Sequence, residues 1–246
     1  MGAIAFGVDV GGSSIKYAPV DTASGGLQAD LASVPTPQPA GATQLVAAIT
    51  GLAAGAPRGA ALGVALPSVI RFGTVYTAAN LDPSLIGLDI EAVLRASTGR
   101  TVACLNDADA AGLAEVRLGA ARGATGTVMV LTFGTGIGSA LFIDGRLVPN
   151  TELGHLQMGG AEAEQRASAR ARTAEHLDWP GWAARVNEYL ELINGLFWPE
   201  LIVLGGGVSE EFDRFGPLLR SRAPVRVAQL GAAAGVVGAA MAAVER

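Results

Sequence analysis

The run CLNDADAAGLAE, Cys104 to Glu115, passes from an apolar stretch straight into Asn106, Asp107 and Asp109 and then into an Ala/Leu-rich helical pattern. Asp and Asn at a helix start satisfy free amide N–H groups and suit the helix dipole, so capping accounts for one of the three. Two carboxylates and an amide at the C-terminal end of a strand exceed that need, and such strand ends are where ligands bind in α/β folds. A carboxylate there can serve as a general base.

Other runs suit anions and hydroxyls. In DVGGSSIK, Gly11 and Gly12 are expected to turn with φ > 0 and bring backbone N–H groups close to an anion, while Ser13, Ser14 and Lys16 add donors and a charge. The spacing is neither that of a Walker A loop nor that of a dinucleotide fingerprint, and taken alone it also fits an ordinary hairpin turn. TFGTGIGSA supplies Thr135 and Gly136 for a second cradle, and GGGVS at 205–209, containing Gly206, for a third. A further cluster, TELGHLQMGGAEAE, holds Glu152, His155, Glu162 and Glu164. One His among carboxylates without Cys makes a poor zinc site. The same groups accept from and donate to the hydroxyls of a sugar, and discriminate it because a missing partner leaves a polar group unpaired. Glu162 is read as a solvated surface acid.

The elements that position these residues alternate in type. IAFGVDVGGSSIKYAPVD and MVLTFGTGIGSALFID align with Asp9 on Thr132, Gly11 on Gly134 and Asp21 on Asp144, each reading as strand, Gly-rich turn, strand and Asp-containing turn: a duplicated β-hairpin. Helices are expected at ATQLVAAITGLAAG, SLIGLDIEAVLRAS, ADAAGLAEVRLGAA, AEAEQRASARARTAEHL, WAARVNEYLELINGLF and GAAAGVVGAAMAAV, and strands at GAALGVALP, TVACLND and ELIVLGGGV. This is an α/β chain with mixed sheets in two lobes around a central cleft. The expected lobes are 1–108 and 109–232, with the last helix, about 233–246, returning to the first.

Composition bounds the reading further. Half of the 246 residues are hydrophobic and 16% charged, enough for one large core or two smaller ones. The formal charge of -5 and the lack of a basic block argue against nucleic acid as a partner. A single cysteine, Cys104, excludes an internal disulfide and suits a reducing compartment. No basic leader and no apolar run of membrane-spanning length is evident, so a cytoplasmic protein without a membrane partner is expected.

Along nearly its whole length the chain resembles the ROK family of sugar kinases, in the actin-like ATPase (ribonuclease H-like) superfamily, and within it the branch that uses inorganic polyphosphate. The likeness rests on GVDVGGSSIKYAPVD, TAANLD, NDADAAGLAE, TFGTGIGSALFIDGRLVPNTELGHL and FWPELIVLGGGVS in that order. It implies phosphorylation of glucose at the 6-hydroxyl, with Asp107 as general base and Asn80, Asn106, Glu152, His155 and Glu164 on the sugar. It places Gly11, Gly12, Ser13, Lys16, Thr135, Gly136 and Gly206 on the phosphates, and Asp9 on Mg2+, directly or through water. QMGGAEAEQRAS lacks the Cys-rich motif of the wider family, so no structural zinc is expected, and that absence fits the polyphosphate branch. Ser68, Leu85 and Ala232 depart from common family residues.

For the donor, polyphosphate needs a local basic track, and Lys16, Arg166, Arg170 and Arg172 are its candidates, with Arg166 and Arg170 on one helical face. ATP is a second possible donor. The alternatives are a strictly ATP-dependent hexokinase of the family and a sugar-sensing regulator without catalysis. The latter is disfavoured because such regulators carry an N-terminal DNA-binding helical domain and this chain starts at a hairpin strand. The resemblance also implies a homodimer, for which VNEYLELINGLFW offers an apolar face that serves equally well as core.

Overall fold

A computed structural model describes residues 2–78 and 81–245. In chain order the elements are β1 (Ile4–Val10), β2 (Ser14–Asp21), β3 (Ala32–Pro35), α1 (Ala42–Ala54), β4 (Ala61–Leu66), β5 (Ile70–Arg71), β6 (Thr74–Val75), α2 (Ile90–Thr98), β7 (Val102–Asn106) and α3 (Asp107–Arg117). There follow β8 (Thr127–Phe133), β9 (Ile137–Ile143), β10 (Arg146–Val148), β11 (Gln157–Met158), β12 (Ala161–Glu162), α4 (Ala163–Ala167), α5 (Ala169–Ala174), α6 (Trp179–Phe197), β13 (Leu201–Gly205), α7 (Phe212–Phe215), β14 (Val225–Val227) and α8 (Ala234–Val244). Two compact units result, one of residues 1–114 and 233–246, the other of 115–232.

The first unit is built on a five-stranded sheet of order β3-β2-β1-β4-β7, antiparallel at the hairpin and parallel from β1 to β7. Strand alternation sorts its side chains by size. Phe6, Val8, Val10, Leu62, Val64 and Leu66 pack with Leu45 and Ile49 of α1 and Ile90 and Leu94 of α2. The intervening positions are small because α8 lies against the backbone there. A Cβ on Gly7 would collide with the carbonyl of Val236, and one on Gly63 with that of Ala239. Gly238 of α8 in turn meets the carbonyl of Ala110. The Gly/Ala/Val composition of α8 is thus the counterpart of two strand glycines.

The second unit repeats the plan, with order β10-β9-β8-β13-β14 and the same pattern of directions. Met129, Leu131 and Phe133 of β8 and Ile202 and Leu204 of β13 pack on Trp182, Val186, Tyr189, Leu190 and Ile193 of α6. Phe133 meets Trp182 and Tyr189 edge-on, at 5.9 and 6.2 Å between centroids. Most of the apolar face of α6 is therefore core, and only its end leaves Leu196 and Trp198 exposed. No helix of the described residues is long and apolar enough to cross a membrane.

Four details differ from the sequence reading. The second hairpin turn is one residue shorter: Val10 pairs with Ile15 but Phe133 with Ile137. Asp21, the partner of Ile4, hence corresponds to Ile143, the partner of Thr127, and not to Asp144. Asp144 sits instead in an Asp-Gly turn with φ of 50° and 74° at residues 144 and 145. The helix expected over AEAEQRASARARTAEHL breaks at Ser168, whose extended backbone (ψ 162°) and Oγ, accepting from Ala171 N at 3.1 Å, end α4 and cap α5. Arg166 and Arg170 therefore share no helical face.

SLIGLDIEAVLRAS is likewise divided, into a 3-10 turn at Pro83–Leu85 and α2, which Asp89 caps. Finally, the division between units falls between Ala114 and Glu115, inside α3 rather than at residue 108. The early part of α3 packs on α8, whereas the Glu115 carboxylate binds the amides of Ala120, Gln229 and Leu230.

Candidate active site

Asn106 ends β7 and Asp107 starts α3. The cap is Asn106: its Oδ1 accepts from Ala108 N at 2.8 Å and Asp109 N at 3.1 Å, and its Nδ2 donates to Ser68 O at 3.3 Å. Asn106 is buried, and most of its amide is committed to this local structure. Asp109 is buried as well. Asp107 differs from both in remaining partly exposed, with Oδ1 accepting from Ala108 N at 2.8 Å. The amide fixes the carboxylate without removing it from solvent, as a base that meets a substrate hydroxyl requires. Ser68, on the carbonyl side of the same bond, has a buried Oγ with no hydrogen-bond partner among the described residues.

The first glycine turn works differently from expectation. Neither Gly11 nor Gly12 has a positive φ, and the same holds for Gly134 and Gly136. The first turn is set by its carbonyls: Gly11 O accepts from Thr36 Oγ1 at 2.6 Å, Gly12 O from Gln38 Nε2 at 3.4 Å, and Ser13 O from Thr36 N at 3.0 Å. In a planar trans peptide the N–H opposes the preceding C=O, so the amides of Gly12 and Ser13 face away from residues 36–38. Two adjacent N–H groups so disposed make an anion cradle.

Asp9 and Lys16 pair across the same hairpin. Burial raises the pKa of Asp9, and the Lys16 charge opposes the rise. Gly235 at the start of α8 lies so close that a Cβ there would be 2.7 Å from Asp9 Cγ.

In the second unit the turn at 134–136 closes with Gly134 N donating to Gly136 O at 3.0 Å, and Thr135 is exposed. Gly136 is needed for close approach: a Cβ would collide with Glu164 Oε2, which accepts from Ile137 N at 3.3 Å. The turn at 134–136 and the Glu/His cluster thus share one carboxylate. Gly206 does have φ 82°, and its Cα faces the backbone of Phe133.

Ser139, buried in β9, holds the Glu-x-Gly-His segment. Its Oγ donates to Thr151 O at 2.6 Å and accepts from Leu153 N at 3.0 Å, and Gly154 rests on the carbonyl of Ile137. With the backbone so pinned, His155 Nδ1 lies 3.2 Å from Glu162 Oε2, and Nε2 lies 3.8 Å from Glu152 Oε2. Glu162 is therefore a partner of His155 and not the solvated acid the sequence suggested. Sequence reasoning missed Ser139 too, although a serine inside an apolar strand signals a buried hydroxyl in need of partners.

Desolvation lowers the pKa of His155, but the hydrogen bond and charge of Glu162, with the charges of Glu164 and Glu152, leave it raised overall. Glu152 is raised by burial and by Glu164, against the pull of His155. Ligand atoms of His155, Glu162 and Glu164 lie within 4.8 Å of one another. With one imidazole already bonded to a carboxylate and no thiolate, the set matches hydroxyl binding better than zinc. Asn80 lies outside the described residues.

Of the basic candidates, Lys16 stands opposite Asp9 across the hairpin. Arg166 is consumed by Met158 O at 3.1 Å and Glu188 Oε2 at 3.2 Å, while the Arg172 guanidinium lies over the Trp179 ring.

Residues 5–175 match the ROK family. Over 240 residues the chain is 47% identical to the polyphosphate glucokinase of Mycobacterium tuberculosis, covering 97% of this chain and 91% of that one. The chain belongs to the ROK family. Among solved structures of the family's fold, the inorganic polyphosphate/ATP-glucomannokinase of an Arthrobacter species shares 45% identity at a TM-score of 0.94, with 99% of both chains covered. The ROK family glucokinase of Streptomyces griseus, in complex with glucose and AMPPNP, shares 27% identity at a TM-score of 0.84, covering 99% of this chain and all of that one. The family and its solved relatives make this chain an ROK sugar kinase with the actin-like ATPase fold.

Proposed function

We propose that the protein transfers the terminal phosphoryl group of inorganic polyphosphate to the 6-hydroxyl of glucose, with ATP as a second donor. The observation that carries the catalytic assignment is the division of labour at the end of β7: Asn106 caps the helix, leaving Asp107 oriented and partly exposed. The choice of donor and sugar is supported by the identity and coverage of the polyphosphate-using relatives.

Asp107 accepts the 6-hydroxyl proton as the oxygen attacks the terminal phosphorus. The new O–P bond forms, the bridging P–O bond breaks, and the released chain is one phosphate shorter. Phosphoryl transfer of this kind depends mainly on positioning and charge neutralisation. Glu152, His155 and Glu164 hold sugar hydroxyls, with Glu162 fixing the His155 ring. The amides of the turn at 11–13 and those at 134–136 receive phosphate oxygens.

A divalent metal such as Mg2+ fits the Asp9 side of the first hairpin, because that ion uses one or two carboxylates and completes its shell with phosphate oxygens and water. When bound it would neutralise phosphate charge. Asp9, desolvated and faced by Lys16, is the group suited to hold it.

The experiment is a coupled assay of glucose 6-phosphate formation with long-chain polyphosphate and ATP supplied separately. Turnover with polyphosphate is expected. Turnover with ATP and none with polyphosphate would replace this reading with a strictly ATP-dependent hexokinase.

A further inference from the structure

Trp179 opens α6, and its ring gathers two cations. The Arg172 guanidinium carbon lies 3.6 Å from the ring centre and that of Arg214 5.1 Å, while Phe215 stacks on the ring at 5.7 Å with 16° between planes. Arg172 Nε and Trp179 Nε1 are both buried, and among the described residues neither has a hydrogen-bond partner. Buried donors without acceptors are rare and costly, so two on side chains that meet one another call for an explanation. What would complete the group is an acceptor carrying negative charge.

Three acids close by in sequence or contact do not supply it. Glu175 is bound by Arg185 through two contacts, of 2.8 and 2.6 Å. Asp178 caps α6 through Gly181 N. Glu211 reaches Arg214 only at 3.4 Å, with both side chains more than half exposed, so that pair is weak.

The cluster also lies on elements tied to the phosphate turns. Arg170 N, in α5 two residues before Arg172, donates to Gly134 O at 3.1 Å. Arg214 is in α7, which follows the Gly206 turn, and that turn packs on Phe133 next to Gly134.

We propose that Arg172 and Arg214, gathered on Trp179, form a subsite for a phosphate group of the polyphosphate chain beyond the one transferred, an inference that rests on polyphosphate being the donor. Guanidinium forks and an indole N–H match phosphate oxygens, and their planar geometry rewards them. A nucleobase fits less well, because Phe215 and the Arg172 guanidinium already occupy the indole ring.

The test uses Arg172→Ala, Arg172→Lys and Arg214→Ala in the full chain. It measures KM for long-chain polyphosphate, ATP and glucose, and the direct binding of long-chain polyphosphate across salt concentrations. Loss of a charged hydrogen-bonding partner is expected to raise the polyphosphate KM of Arg172→Ala about tenfold and to flatten its salt dependence. KM values for ATP and glucose should stay within about twofold. Arg172→Lys keeps the charge without the fork and should fall between; it carries the test if Arg172→Ala fails to fold.

A parent enzyme that binds polyphosphate together with variants of unchanged polyphosphate KM and salt dependence would overturn the subsite alone. An equal rise for ATP and polyphosphate would overturn it too, pointing to general damage at the donor site. A parent that neither binds nor uses polyphosphate would remove the donor reading and the subsite with it.

Discussion

Glu115 is 1% exposed, and its carboxylate is an acceptor for three backbone amides. Oε1 receives Gln229 N at 2.9 Å and Leu230 N at 2.8 Å, and Oε2 receives Ala120 N at 2.8 Å. One side chain in α3 thus fixes both the turn after the helix and the segment that leads to Gly231 and α8. Hydrogen bonds to a charged group are worth about 1.5–3 kcal/mol each, but three on one carboxylate are not additive, so Glu115→Ala should cost about 4–6 kcal/mol. Glu115→Gln keeps one acceptor oxygen and turns an N–H against an amide, for a cost of about 2–4 kcal/mol. Against a total stability of about 5–15 kcal/mol, the alanine variant should be marginal. All three tryptophans, Trp179, Trp182 and Trp198, lie in the 115–232 unit, so tryptophan emission during urea unfolding reports the unit that Glu115 holds. A Glu115→Ala midpoint equivalent to less than about 1 kcal/mol of loss would refute the assignment of these bonds as structural anchors.

Gly63→Ala should destabilise the other unit by at least about 2 kcal/mol, because the added methyl collides with the Ala239 carbonyl of α8; parental yield and unfolding would show that α8 stands further off. Glu162→Gln should raise the glucose KM about tenfold while leaving kcat nearly unchanged, since it loosens the His155 ring rather than the reacting oxygen. The same variant should lower the His155 pKa, read by NMR titration, because it removes a carboxylate that raises it. A group whose pKa is raised on folding adds stability that is complete below its unfolded value, about 6.5, and is lost as pH rises through the folded value. The melting-temperature gap between parent and His155→Gln should therefore narrow from about pH 6 to pH 8. A constant gap would mean that the imidazole gains nothing from its carboxylates.

Much of this architecture was legible because it follows from local rules. Alternation of large and small residues in β1 and β4, glycine turns and the repeat of one hairpin specify two similar sheets without long-range information. The Asp144-Gly145 turn was readable for the same reason. What escaped depends on contacts distant in sequence. Gly136 looks like a flexible turn residue, yet its role is to admit Glu164; Glu162 looks solvated until the break at Ser168 and the pinned 151–155 segment bring it to His155. Arg166 and Arg170 looked like neighbours only as long as the helix was assumed continuous. Of the Asn-Asp-x-Asp run, the sequence indicated that one residue must cap. The structure gives that role to Asn106, whose Oδ1 accepts from the N–H groups of both Ala108 and Asp109.

The proposed mechanism rests on Asp107 taking the proton from the attacking hydroxyl. Its most direct measurement is single-turnover phosphoryl transfer by Asp107→Asn, an isosteric change that removes the base, alongside glucose binding by calorimetry. A fall in the transfer rate of about a hundredfold to ten-thousandfold with glucose affinity within about threefold is the predicted result. A variant that transfers phosphate at close to the parental rate would contradict it.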